Sequence, residues 1–196
     1  MTTSQLINQI DQFGVDIQRL VTRLSELGYI FERPEDVLPG PEAEAAEAIA
    51  RIETEIGPIP LAIKLFWLRV GSVDLSGFHP DWVGCDYPDP LIVFPPSYAL
   101  YELDEFLEER NERIAAGQPY VISVSPDFFH KANVSGGLPY SVSVPAEKDD
   151  PPLNCEWHQV SFMEYLHLAL KFGGFPGLER TPEHTWPVLG INRACI

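Results

Sequence analysis

Apolar residues punctuate the start of the chain at alternating intervals of four and three: Leu6, Ile10, Phe13, Ile17, Leu20, Leu24 and Leu27. This spacing places one apolar stripe along a helix, so residues 4–27 are expected to form one. The stripe runs for about three heptads, which suits packing on the chain's own domain or contact with a second copy. Residues 28–41, GYIFERPEDVLPGP, read as a linker with aromatic anchors. Gly40 and Pro41 then introduce an acidic helix over residues 42–56, with proline in the first turn where its missing N–H costs nothing. Gly57 ends that helix. Residues 61–70, LAIKLFWLRV, are apolar nearly all round, as in a buried helix.

From Val73 the period shortens. VDLSGF, PLIVF, YVISV and YSVSV are short, partly alternating and bounded by proline and glycine, and each is expected to be a strand. In the last, Tyr140, Val142 and Val144 share one face. Between the second and third strands the spacing predicts a helix over about 97–115. Leu103, Phe106, Leu107 and Ile114 form its apolar side, and Glu102, Glu105, Glu109 and Glu112 an acidic stripe beside it. A final helix is expected over 161–172. Ser161 and Glu164 have the spacing of a capping box, and Phe162, Tyr165, Leu166, Ala169 and Phe172 recur at helical intervals. The string KFGGFPGLE follows it. Glycines that cradle phosphate precede a helix and offer its N-terminal N–H groups; these glycines follow one, at the negative end of its dipole. They read as a helix stop, with Pro176 preventing resumption.

Helices first, then strands with helices inserted, indicate an α+β fold: a largely antiparallel sheet flanked by helices, with an N-terminal helical extension. The linker divides the chain into an extension, residues 1–35, and a main domain, residues 36–196.

Composition narrows the functional classes. Of 196 residues, 45% are hydrophobic, which suits a folded core, and 19 are proline, which suits short elements between rigid turns. Thirteen basic against 29 acidic residues give a net charge of −16. Such a surface repels nucleic acid and anionic lipid, and favours a basic partner or simple solubility. Cys85, Cys155 and Cys195 are too few, and odd in number, for a disulfide framework. The N-terminus lacks a basic start and apolar run, and no apolar stretch approaches the ~20 residues that span a bilayer. A cytoplasmic protein is expected, with no membrane or nucleic-acid partner.

The densest polar cluster is FHPDWVGCDYPDP, with His79, Asp81, Trp82, Cys85 and Asp86. These side chains suit a metal or acid–base site, but their spacing matches no zinc pattern, and aspartates capping their own backbone in a turn-rich loop account for it equally. Cys155 and His158 complete a zinc set with His79 and Cys85 only if the fold gathers all four. KANVSGGLP, residues 131–139, is either an anion-binding nest beside Lys131 or a loop entering a strand. No nucleophile elbow, phosphate loop, H-E-x-x-H or paired C-x-x-C is present, so no catalytic residues, metal or cofactor are expected. The stripe Glu102, Glu105, Glu109 and Glu112 is a solvated face or a surface that steers a basic protein.

Three longer strings, IGPIPLAIKLFWLRVGSVDL (56–75), DPLIVF (89–94) and SFMEYLHLALKFGGFPGL (161–178), together resemble the SUKH superfamily, also described by its yeast cell-wall-synthesis regulator members, and most closely a bacterial branch. The family's acidic helix, glycine, Leu-Pro start, buried aromatic helix and glycine turn correspond to Glu53–Ile56, Gly57, Ile59-Pro60, Phe66-Trp67 and Gly71. Isoleucine stands here for the leucine, and Gly71-Ser72 for a glycine pair. The resemblance covers roughly 42–178 and implies a sheet flanked by helices. Many bacterial members are immunity proteins that neutralise toxins, often nucleases, and the family is not known for enzymes. The resemblance therefore implies a non-enzymatic module that occludes a basic toxin domain, with Glu102, Glu105, Glu109 and Glu112 in its binding face. Two other readings stand beside it: a metal-dependent or acid–base enzyme built on the His79–Asp86 loop, and a scaffold that dimerises through the 4–27 helix.

Overall fold

The apolar stripe of the first helix points inward. Helix α1 (Thr3–Glu26) lays Leu6, Ile10, Phe13, Ile17, Leu20 and Leu24 against helices α3 (Leu61–Arg69) and α7 (Phe162–Lys171). The computed structural model describes residues 2–81, 89–132 and 134–180. All six stripe residues are at most 4% exposed and belong to one cluster with the core side chains of α3 and α7. The Phe13 and Phe66 rings lie 5.9 Å apart, and Asp11 pairs with Arg69 across α1 and α3. Residues 3–26 thus contribute their apolar stripe to the common core. The stripe that the sequence also offered to a second copy is packed here on α3 and α7 of its own chain.

Helix α2 (Ala45–Glu55) begins three residues later than the sequence suggests. Glu42 is drawn instead to the N-terminus of α4 (Pro96–Glu108). Its carboxylate accepts from the Ser97 N–H at 3.0 Å and the Ser97 hydroxyl at 2.6 Å. A negative group is stabilised there by the free N–H groups and positive end of the dipole. Glu53 ties α2 to α3, accepting from Lys64 Nζ at 2.7 Å and from the Ile59 N–H at 3.1 Å. Ala62, Ile63, Phe66 and Trp67 of α3 are buried, but Leu68 is 44% exposed, so this helix is less enclosed than its all-apolar string implies.

The strands are short. They are β1 (Ile30–Phe31), β2 (Val73–Asp74), β3 (Gly77–Phe78), β4 (Ile92–Val93), β5 (Val121–Ser125) and β6 (Tyr140–Ser143). They pair antiparallel as β1–β3, β2–β4 and β5–β6. The Phe94 N–H donates to Val124 O at 2.8 Å, joining the second ladder to the third. The α+β class with antiparallel pairing therefore holds, with three ladders in place of one broad sheet. VDLSGF divides into β2 and β3 because Asp74 Oδ1 accepts from the Ser76 N–H at 2.9 Å, an aspartate turn that bends the chain. Helix α6 (Phe128–Lys131) was not legible as a helix. Asp127 starts it by accepting from the N–H groups of Phe129 and His130.

Helix α7 starts and stops as its sequence predicts. Ser161 and Glu164 form the reciprocal capping box. At the other end Gly173 and Gly174 have φ of 65° and 95°. The Gly174 N–H reaches Ala169 O at 2.7 Å and the Gly173 N–H reaches Leu170 O at 3.1 Å, the bond pair of a Schellman stop. A side chain at Gly174 would stand 2.6 Å from Leu75 Cδ1, so the corner also needs glycine for space. Phe175 then turns inward, fully buried, with its ring 5.5 Å from that of Tyr29.

Candidate partner face and buried ionic cluster

The predicted 97–115 helix is two helices, α4 and α5 (Arg110–Ala115), broken at Glu109, whose φ and ψ are −105° and 8°. Between Leu107 and Ile114 the chain has no apolar side chain to hold a continuous helix on the core. Ile114, expected on the apolar side, is 58% exposed. The four glutamates of the stripe meet different fates. Glu102 is half-buried and accepts from the Ser123 N–H at 3.0 Å, and burial pushes its carboxyl up despite that bond and a further one from the Ser123 side chain. Glu105 is exposed and accepts from the Tyr101 hydroxyl at 2.6 Å. Glu109 is exposed and pairs with Arg113 at 2.9 Å, and Glu112 is exposed. Asp104 and Glu108 extend the exposed acid of α4, and Asp104 pairs with Arg51 of α2. Tyr101, 61% exposed, stands among these carboxylates.

The His79 loop has a structural role as far as it is described. The Asp81 N–H donates to His79 Nδ1 at 3.1 Å, which assigns the ring proton to Nε2. Nε2 then donates to Leu27 O at 2.8 Å, closing the C-terminus of α1 against the end of β3. Trp82, Cys85 and Asp86 lie outside the described residues. His158 does not stand ready as a ligand either: its Nδ1 meets Glu156 Oε1 at 2.5 Å, with both side chains buried. Among the described residues no group of three or more His, Cys, Asp or Glu side chains is placed to hold a metal ion.

The nest at Gly136-Gly137 is corrected by its surroundings. The Asp127 carboxylate lies 2.4–2.9 Å from where a Gly137 side chain would begin, so the loop already faces an anion. Lys131 points away into the core. Its Nζ lies 2.8 Å from Asp89 Oδ1 and 2.8 Å from the Tyr165 hydroxyl, and both charged side chains are at most 1% exposed. The ammonium also sits 5.1 Å from the centre of the Tyr140 ring and 5.5 Å from that of Tyr165, within reach of cation–π attraction. Burial, then the nearby Asp89 carboxylate, push both phenols up, so both remain neutral. Asp89 holds φ of 52°, a left-handed conformation uncommon outside glycine. Its Oδ2 and the Tyr140 hydroxyl are buried and have no hydrogen-bond partner among the described residues.

This cluster ties β6, α6, α7 and the approach to β4 together around one cation. With no exposed side-chain surface on Lys131 or Asp89, it meets no substrate in this conformation and acts as an internal crosslink. Sequence reasoning missed it. The available signal was the placement of Tyr140 and Tyr165 on apolar faces, since a buried phenol calls for a polar partner.

Set against known proteins, the chain matches no family model, no curated protein and no solved structure. Among the described residues no helix is long and apolar enough to cross a membrane.

Proposed function

We propose that this chain is a non-enzymatic module that binds a basic protein through the exposed face of α4 and α5. The observation that supports it is the pairing of two uncovered apolar side chains, Tyr101 and Ile114, with the exposed carboxylates of Asp104, Glu105, Glu108, Glu109 and Glu112. Tyrosine is enriched at the energetic centre of interfaces, and a surrounding field of one sign speeds encounter with the opposite sign. The net charge of −16 acts in the same direction at longer range. The SUKH-like strings favour an immunity role, with a nuclease-type toxin as the basic partner, because a surface built to hold phosphate is cationic.

The test is capture from a lysate of the source organism at low salt, followed by association kinetics with the retained partner. A single basic protein released as salt rises supports the proposal. Reversal of Glu105, Glu109 and Glu112 to lysine is expected to slow association at least tenfold at low salt, in the range by which steering raises rates, and to flatten the salt dependence. An unchanged rate removes the α4–α5 face. Glu102 is left out of the variant because its carboxylate holds β5.

A further inference from the structure

A groove of about 410 Å³ opens beside the first turn of α4. Its floor is apolar, formed by Val73 of β2 and by Val93 of β4, both buried. One wall is a stacked aromatic pair, Phe94 on Tyr98, with ring centres 4.2 Å apart. At its rim a single guanidinium, Arg33, is shared between two carboxylates: Asp74, and Asp36 at 3.6 Å. The Asp36 side chain is 50% exposed while that of Asp74 is 11% exposed, so Asp36 is the charge a guest would meet. Two carboxylates against one cation leave the rim negative.

We infer that this groove receives one arginine or lysine side chain of the basic partner, an inference that rests on the binding reading above. The shape of the chemistry selects the guest. An apolar trough with an aromatic wall accepts the methylene stem of such a side chain, and a carboxylate at the rim accepts its charged head. An anionic guest would find Arg33 already neutralised, and a purely apolar one would leave the rim charge unanswered. The groove is continuous with the proposed face. Tyr98 lines it, and Tyr101 and Glu105 follow on the next two turns of the same helix. A partner lying along α4 would seat one cation in the groove and others over the acidic turns beyond.

The experiment titrates the full-length ¹⁵N-labelled chain with N-acetyl-arginine methylamide, using the norleucine analogue as a neutral control. Saturable amide shifts at Asp36, Val93 and Tyr98 are expected with the arginine probe and not with norleucine. Asp36→Asn is expected to weaken the probe about three- to fivefold, the scale of one exposed charge contact. Arg33→Gln removes the internal counter-ion and is expected to tighten it, a gain that a purely structural role for Arg33 would not give. Equal response to both probes, or unchanged affinity in Asp36→Asn, overturns the inference. Shifts confined to Tyr101, Glu105 and Glu108 overturn the groove while leaving the binding face intact. That face fails on its own terms only if the triple lysine variant keeps the wild-type association rate.

Discussion

Lys131 is an ammonium enclosed by a carboxylate, a phenol and two aromatic rings, and its energetic role follows from that enclosure. Removing one partner of a buried ion pair strands the other charge away from water. Lys131→Met is therefore expected to cost about 3–5 kcal/mol in urea unfolding. Replacing both partners, Lys131→Met with Asp89→Leu, should recover much of that loss, because the pair's desolvation penalty goes with it. A double variant no more stable than the single one would count against this account. Glu102 carries the opposite lesson. Burial raises its carboxyl, so the folded chain binds that proton more tightly than the unfolded chain, and the ionised form opposes folding. The penalty is present at neutral pH, is relieved as pH falls through the raised value, and is absent below the unfolded one. Glu102→Gln keeps an oxygen for the Ser123 N–H, so it should match or exceed wild-type stability at pH 7. Its advantage should shrink as urea midpoints are followed toward pH 4. At this scale the sequence was least informative. The spacing of Glu102 places it in the stripe, but only the approach of β5 shows that it is half-buried.

Elements were most legible where a local cap or stripe coincides with the hydrophobic period. The stop of α7 is written in four consecutive residues and its start in two, and both form as read. The α1 stripe is likewise complete within its own helix. Boundaries moved where a side chain drew on the backbone elsewhere. Glu42 leaves α2 to serve the distant α4, and Asp74, from within the expected strand, splits it into two by a turn at Ser76. Gly71 shows a distant constraint of another kind. A side chain there would meet Gly40 O at 2.0 Å, a backbone atom, while a side chain at Gly40 would meet nothing within 4 Å. Both glycines have positive φ, 94° and 83°. Gly40→Ala is expected to cost about 1–2 kcal/mol, the conformational penalty alone. Gly71→Ala must also displace the Gly40–Pro41 backbone and should cost at least twice as much. Thermal or urea unfolding of the two variants checks the ranking, and equal costs would show that the close approach relaxes freely.

For the molecule as a whole, the sequence supported the α+β class because helical and strand periods are distinct and change over near Val73. It did not show that α1 joins the core, since a heptad stripe looks the same whether its partner is another copy or another part of the chain. The distinction is testable. A chain lacking residues 1–27 is expected to lose cooperative unfolding rather than to change its oligomeric mass, because α3 and α7 would be left with an uncovered apolar face. A well-folded truncated chain would overturn that expectation. The proposed binding face was legible in part: Glu105, Glu109 and Glu112 are exposed as their charge suggests, whereas Ile114, expected on the apolar side, is exposed beyond the break at Glu109.

The packing of α1 has a further consequence, in time rather than in space. Synthesis runs from the N-terminal side, so α1 leaves the ribosome well before α7, and the part of its apolar stripe that α7 covers must wait for that helix. Until then that part of the stripe faces water, or whatever holdase covers nascent chains, with α3 as its only early partner of the two helices it packs on. A long-range contact of this kind also slows folding after release, since the intervening loop must close first. Stalling translation before residue 162 should yield a chaperone-bound, protease-sensitive chain. The protease-resistant domain should emerge abruptly once α7 has cleared the exit tunnel.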